Sequence, residues 1–222
     1  MSQIKKNLKY IHEKITSISN KYCINPKNIK ILAVSKSRSI QEIKEAVQCK
    51  QYEFGENYVQ ESLSKIREFK NVHWHFIGHI QSNKIRTIST NFSWCHTIKN
   101  EKIAKALNEY RWNIIPKLNV LIQINIRNNF ITSRININNF KDLIKKILLL
   151  KNLNLRGIMG MPNKLLHYDD QIKSYKHVQL YFSIMQDICS SADTISLGTS
   201  HDIKAAIISG STLIRIGSHI FN

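Results

Sequence analysis

A lysine that leaves an apolar run at its carboxyl end is the first residue in this chain with chemical potential. Lys36 follows residues 29–35 (IKILAVS). A lysine desolvated by its neighbours becomes a neutral amine able to form a Schiff base with an aldehyde, although from position alone a solvated strand-end charge is the simpler reading. Two glycine turns far along the chain change the balance. Ser196-x-Gly198-x-Ser200 runs straight into a helical pattern, and Ile214-Arg215-Ile216-Gly217-Ser218 offers a glycine, a hydroxyl and adjacent backbone amides. Free N–H groups at such turns converge on phosphate, while each turn taken singly also reads as an ordinary helix cap. An amine paired with a phosphate cup suggests pyridoxal 5'-phosphate. His73 and His75 alternate on one run and so point to one face, as metal ligands do, but no third ligand stands at suitable spacing and ordinary strand histidines are the simpler reading.

These residues need a scaffold that brings chain positions 36, 57, 200 and 215–218 together. Short apolar runs at 29–35, 52–55, 72–78, 92–97, 118–126, 153–159, 194–197 and 212–216 read as eight strands. Helical patterns follow over 40–49, 58–69, from about 82, and over 101–111, 138–150, 169–189 and 202–209. Eight strands alternating with helices predict an α/β fold, a single (β/α)8 TIM barrel over residues 1–222. A further helix over 2–22 precedes the first strand, so it must supply the eighth outer helix or cover the barrel bottom. An open doubly wound sheet is the competing architecture, but no G-x-G-x-x-G follows the first strand. Barrel chemistry sits at the carboxyl ends of the strands. Ser35-Lys36-Ser37, Gly55-Glu56-Asn57, Gly78-His79, Met161-Pro162, Gly198-Thr199-Ser200-His201 and Arg215-Ile216-Gly217-Ser218 all fall there. Met159 and Met161 read as packing residues.

Composition narrows the function classes. With 222 residues, 42% hydrophobic and 22% charged, the chain can bury a substantial core. Its longest apolar stretch, 114–126, is interrupted by Pro116, Lys117 and Asn119 and is too short to span a bilayer. The N-terminal residues carry no secretory pattern, so a cytoplasmic location is expected. Cys23, Cys49, Cys95 and Cys189 form no C-x-x-C pair and read as reduced, mostly buried thiols. A net charge of +18 raises nucleic-acid binding as a function class. The charge is scattered, however. Of 33 basic residues 25 are lysine, and no run exceeds two. The joint abundance of Ile, Asn and Lys is the set favoured by A/T-rich codons, which makes mutational drift of the surface the preferred explanation and leaves no specific nucleic-acid or membrane partner.

The segments Leu32-Ala33-Val34-Ser35-Lys36-Ser37, Phe54-Gly55-Glu56-Asn57-Tyr58-Val59-Gln60-Glu61, Trp74-His75-Phe76-Ile77-Gly78, Gln81-Ser82-Asn83-Lys84, Leu155-Arg156-Gly157-Ile158-Met159, Ser196-Leu197-Gly198 and Gly210 to Gly217 resemble, in order, those of the pyridoxal phosphate homeostasis protein family. The resemblance implies a fold-type III barrel akin to the N-terminal domain of alanine racemase. It also implies cofactor held as an internal aldimine on Lys36, and a role in balancing vitamin B6 and amino-acid pools without classical turnover. On this reading the chain is a monomer whose partners are pyridoxal 5'-phosphate and the apo-enzymes that use it. Ser200, Gly217 and Ser218 would hold the phosphate, Arg215 would face the pyridine nitrogen, and Asn57 and His75 would line the wall. The alternative is an amino-acid racemase or Schiff-base lyase using the same lysine. Racemases of this fold take an acid/base group from a further domain, for which 222 residues are too few. The chain departs from the family pattern at His79, at His201-Asp202, at Thr132-Ser133-Arg134 and at its Ile220-Phe221-Asn222 end. None of these departures touches the lysine.

Overall fold

Alternation of side chains along the first strand sorts the molecule into layers. In β1 (Lys30–Val34), Ile31 and Ala33 join the main core beneath the helices. Leu32 and Val34 pack instead with Ile77 and Leu213 in a separate inner cluster. The structure, a computed structural model, describes residues 2–127, 130–131, 136–161 and 167–222. The departures at Thr132, Ser133 and Arg134, and Pro162 at the end of the sixth apolar run, lie outside the described residues.

β1 pairs in parallel with β2 (Glu53–Glu56), which is followed around the sheet by β3 (His73–Phe76), β4 (Trp94–Ile98) and β5 (Leu118–Arg127). A two-residue β6 (Phe130–Ile131) pairs antiparallel with the end of β5. The ring returns through β7 (Leu153–Met161), β8 (Thr194–Ser196) and β9 (Leu213–Ile216) to β1. Because β4 and β5 pair with each other, the eight parallel strands close into a barrel. The eight expected strands are these eight. β6 is an addition that two residues are too few to announce by periodicity.

Among the described residues eight helices surround the barrel: α1 (Gln3–Lys21), α2 (Ile40–Gln48), α3 (Val59–Glu68), α4 (Ile85–Asn91), α5 (Glu101–Tyr110), α6 (Ile137–Leu148), α7 (Tyr168–Gln186) and α8 (Ile203–Ile208). A short α9 (Ser218–Phe221) follows β9. In α1 the buried residues Ile4, Leu8, Ile11 and Ile15 recur at helical spacing, and the helix packs against α2 on one side and α8 and α9 on the other. It therefore fills the open place in the outer layer rather than plugging the barrel bottom. Local caps set several helix starts. Ser39 and Glu42 form a reciprocal capping box on α2, and Asn100 and Asn136 accept from the third residues of α5 and α6. The helix expected from residue 82 begins instead as a 3-10 turn over Ser82–Lys84, with α4 proper starting at Ile85.

The interior of the barrel is unusually polar. Beside the small cluster around Leu32 it holds His75, His96, Ser196 and Arg215, all buried. Of the cysteines, only Cys95 and Cys189 are buried; Cys49 is half-buried and Cys23 exposed. The reading of the thiols as mostly buried thus fails for Cys23, which sits in the turn after α1 with a left-handed φ of 55°. Burial pushes the Cys95 thiol up to about 11. Met159 is fully buried, as packing residues are, but Met161 at the strand end is 43% exposed and packs nothing away from water.

Candidate functional site

The carboxyl ends of β1, β2, β8 and β9 carry most of the residues singled out by sequence. Lys36 lies two residues beyond β1, on the same alternation as the inward-facing Leu32 and Val34, and it is exposed at the mouth. Its ammonium makes no ion pair among the described residues. The backbone on either side of it is held firmly by contrast. The Ser35 hydroxyl donates to Glu56 Oε1 at 2.6 Å, its carbonyl accepts from Lys65 Nζ at 2.7 Å, and the Ser37 amide donates to Glu61 Oε1 at 2.6 Å. Glu56 is fully buried; burial raises its carboxyl above the usual carboxylate range, against the opposing pull of Ser35 and Lys65.

The β8 and β9 turns meet Lys36 from the other side. Gly198 adopts φ +87°, and a Cβ there would fall 2.5 Å from that of Ala206, so only glycine gives this turn its path. Asp202 pins the turn by accepting from the Thr199 amide at 2.5 Å and the Thr199 hydroxyl at 2.9 Å. Its other oxygen accepts from the Tyr175 hydroxyl at 2.5 Å. Burial first, and then Asp202, raise the Tyr175 phenol. Ser200 is 6% exposed and lies within a hydrogen bond of Ser218, at 3.3 Å between hydroxyl oxygens. Gly217 opens α9 and lies against Val34, two residues before Lys36. Arg215 is buried beneath these turns. One guanidinium nitrogen donates to the Ser196 carbonyl at 2.8 Å and hydroxyl at 2.7 Å, and the other to the Gly160 carbonyl at 3.0 Å. Burial lowers its pKa, but a guanidinium keeps its charge. At the end of β2, Asn57 Oδ1 is a buried oxygen with no partner among the described residues. A group brought into the mouth would find there an amine, two hydroxyls, a buried cation and an unpaired amide oxygen.

His75 does not join this set. It is 1% exposed, and both ring nitrogens are engaged, one with Glu53 at 2.7 Å and the other with His96 at 2.9 Å. It lines a cavity of about 370 Å³ at the opposite end of the barrel, together with Glu53, Trp94, Arg156, Asp193 and Thr194, all near the amino ends of their strands. Alternation places His75 inside the barrel correctly but does not say toward which end its ring reaches. His73, two residues before it, is exposed, as the reading of the two as ordinary strand histidines allows.

This chain of buried histidines has a measurable consequence. Burial holds both His75 and His96 below the ordinary histidine value of 6.5, His96 well below it. Their pKa values are therefore depressed in the folded state. The stability they contribute is present above pH 6.5 and is lost as the pH falls below it toward the folded values, because the unfolded chain takes up the protons first. The unfolding free energy measured in urea should drop between pH 7.5 and pH 5.5, falling below pH 6.5 by up to about 1.4 kcal/mol per pH unit for each histidine. The double variant His75→Gln, His96→Gln should flatten that slope, and an unchanged slope would show that these rings do not govern it.

Glu56, Glu61, Lys65, Tyr175 and Asp202 were missed by sequence reasoning. Glu61 and Lys65 read as an ordinary i,i+4 helix pair, and Tyr175 sits in mid-helix with nothing to mark it.

Comparison with known proteins agrees with this fold. The family model described as alanine racemase, N-terminal domain, matches residues 3–222. Over its full length the chain is 57% identical to the pyridoxal phosphate homeostasis protein of Buchnera aphidicola subsp. Baizongia pistaciae, covering all of that protein. It is 40% identical to the protein of the same name from Escherichia coli K12, over all of this chain and 97% of that one. The chain belongs to the pyridoxal phosphate homeostasis protein family. Among solved structures, the family member PipY of Synechococcus elongatus PCC7942, determined with PLP bound, superposes with a TM-score of 0.85 at 23% identity, covering 99% of this chain and 100% of that one. Alanine racemase from Bacillus anthracis superposes at 0.68 with 16% identity, over 97% of this chain but 54% of its own. The family barrel is thus about half of the racemase chain, and the resemblance read from the seven sequence segments is the family relationship found here.

Proposed function

We propose that this chain binds pyridoxal 5'-phosphate at the carboxyl-end mouth of its barrel and serves in pyridoxal phosphate homeostasis, with Lys36 as the covalent anchor. The observation that supports this reading most is that Lys36, exposed and without an ion pair among the described residues, stands just beyond β1, which pairs directly with β9, the strand that carries the buried Arg215 and leads to Ser218 and its hydrogen bond with Ser200. When bound, the cofactor supplies an aldehyde that condenses with a primary amine and a conjugated ring that absorbs visible light. The donor set fits it. Ser200, Ser218 and the amides of the Gly217 turn suit a phosphate, and the orphaned Asn57 Oδ1 marks a polar wall in want of a partner. The hydrogen bonds of Arg215 go to carbonyl and hydroxyl oxygens rather than to a carboxylate, although the Asp202 charge reaches it, and its cation would disfavour protonation of a ring nitrogen placed beside it. A ring kept unprotonated is a weak electron sink, which suits holding and handing on the cofactor to apo-enzymes rather than racemising amino acids. His75, committed to Glu53 and His96, has no part in the contact.

The phosphate supplies the test. Pyridoxal 5'-phosphate should bind at least about 100-fold more tightly than pyridoxal, equivalent to roughly 2.7 kcal/mol. Isothermal titration of the two vitamers decides it, and equal affinities would remove the phosphate cup. Prolonged incubation with L-alanine and cofactor should yield no D-alanine.

We further propose that the protein acts as a monomer in the cytoplasm, where its apo-enzyme partners are. No helix among the described residues is long and apolar enough to cross a membrane. The positive surface is incidental on this reading, since Lys5, Lys6, Lys9, Lys141, Lys145 and Lys146 all lie exposed on the outer helices α1 and α6.

A further inference from the structure

Behind the turn that carries Lys36 lies a buried ionic cluster with no contact to the mouth. Lys65, on α3, is 3% exposed, and its ammonium reaches Glu56 Oε1 at 2.9 Å, Glu61 Oε1 at 2.6 Å and the Ser35 carbonyl at 2.7 Å. A buried ammonium with three acceptors is fully satisfied, and two of the three are carboxylates that share its charge. The same two carboxylates also hold the turn directly, Glu56 through the Ser35 hydroxyl and Glu61 through the Ser37 amide. Every polar tie therefore falls on the residues immediately before and after Lys36, and none on Lys36 itself. Ser37 has φ 60°, a left-handed conformation that a residue other than glycine keeps only when its surroundings enforce it.

We propose that Lys65, clamped by Glu56 and Glu61, is a positioning residue whose function is to fix the Ser35–Ser37 backbone so that the Lys36 amine is aimed into the mouth. The inference rests on the reading of Lys36 as the covalent anchor and adds a device to it. A lysine has a long flexible stem, and its reaction with an aldehyde needs the amine within a narrow approach. Fixing both neighbouring residues restricts the origin of that stem while leaving its tip free. The cluster thus acts on the covalent step alone, and phosphate recognition, which comes from the β9 and β8 turns on the side of β1 away from β2, is independent of it.

That separation gives a test no merely structural role would pass. Pyridoxal 5'-phosphate and pyridoxine 5'-phosphate, which carries an alcohol in place of the aldehyde, share the phosphate but only the first can bond to an amine. The ratio of their affinities for the full chain isolates the covalent contribution. Lys65→Met and Glu61→Ala should each lower that ratio about tenfold or more, with pyridoxine 5'-phosphate affinity unchanged within about twofold. If Lys65→Met does not fold, Glu61→Ala decides alone, since Glu61 is partly exposed and its loss leaves Lys65 paired with Glu56. An unchanged ratio in the folded variants overturns the proposal, as does a parallel loss of both affinities along with melting temperature. Lys36→Ala is the control. Should that variant keep the wild-type ratio, the anchor assignment itself is wrong; if it collapses the ratio while Lys65→Met and Glu61→Ala do not, only the positioning role is.

Discussion

Borohydride reduction of the protein saturated with pyridoxal 5'-phosphate should place essentially all of the label on the peptide containing Lys36. The chain has 25 lysines, so a label scattered by abundance would look very different. Three features direct it to one site. Lys36 is the lysine immediately beyond β1 on the inward-facing alternation, it is free of ion pairs among the described residues, and Gly217 brings the β9 turn against Val34 beside it. Lys65, the lysine that reaches the Ser35 carbonyl next to it, has its ammonium committed to three acceptors. Lys36→Ala should remove this label and weaken binding at least about tenfold, roughly 1.4 kcal/mol. Because the side chain is exposed and unpartnered, the melting temperature of the cofactor-free protein should hardly move. Peptide mapping by mass spectrometry gives the answer directly, and a label on Lys84 or Lys204 in the wild-type chain would refute the assignment.

Gly78→Ala should be the most damaging small substitution at the rim. A Cβ at this position would fall 2.1 Å from the Asn57 carbonyl oxygen and within 3 Å of two further Asn57 backbone atoms. The obstacle is backbone at the end of a barrel strand, which cannot swing aside as a side-chain tip does. The β2 and β3 ends must part, and Asn57 must leave its place in the mouth. A loss of about 3 kcal/mol or more of stability follows from overpacking of this kind. Urea unfolding measures it, and cofactor affinity should fall with it because Asn57 moves. A variant with wild-type stability would show that the two strand ends are looser than their packing indicates.

Much of the barrel was legible because its signals are local. The repeat of apolar run and helical period needs only neighbours in sequence, so all eight barrel strands appear in order. Their bounds shift by up to two residues, as with residues 92–97 against Trp94–Ile98. The anchor residue and the two glycine turns were legible for a related reason: each sits where a strand stops, and a barrel gathers all such places at one rim. His75 was misplaced because a period of two tells inside from outside but not up from down. A long ring near the middle of a barrel can reach either end, and Glu53 and His96 draw this one toward the amino-terminal end.

By itself, then, the sequence determined the fold class and marked Lys36 and the two glycine turns as candidates, since strand and helix periods and glycine turns are written in adjacent residues. Only the tertiary structure decided which polar groups meet. Glu61 and Lys65 face each other on any helix, but whether they are solvated or buried under the Lys36 turn depends on how α3 docks against β1 and β2. That docking brings Glu56, Ser35 and Ser37 onto the same two side chains. Asp202 likewise finds Tyr175 across 27 residues only because α7 and α8 pack side by side. Contacts of this kind are set by the closure of the barrel, and closure is a property of all eight strands together rather than of any segment.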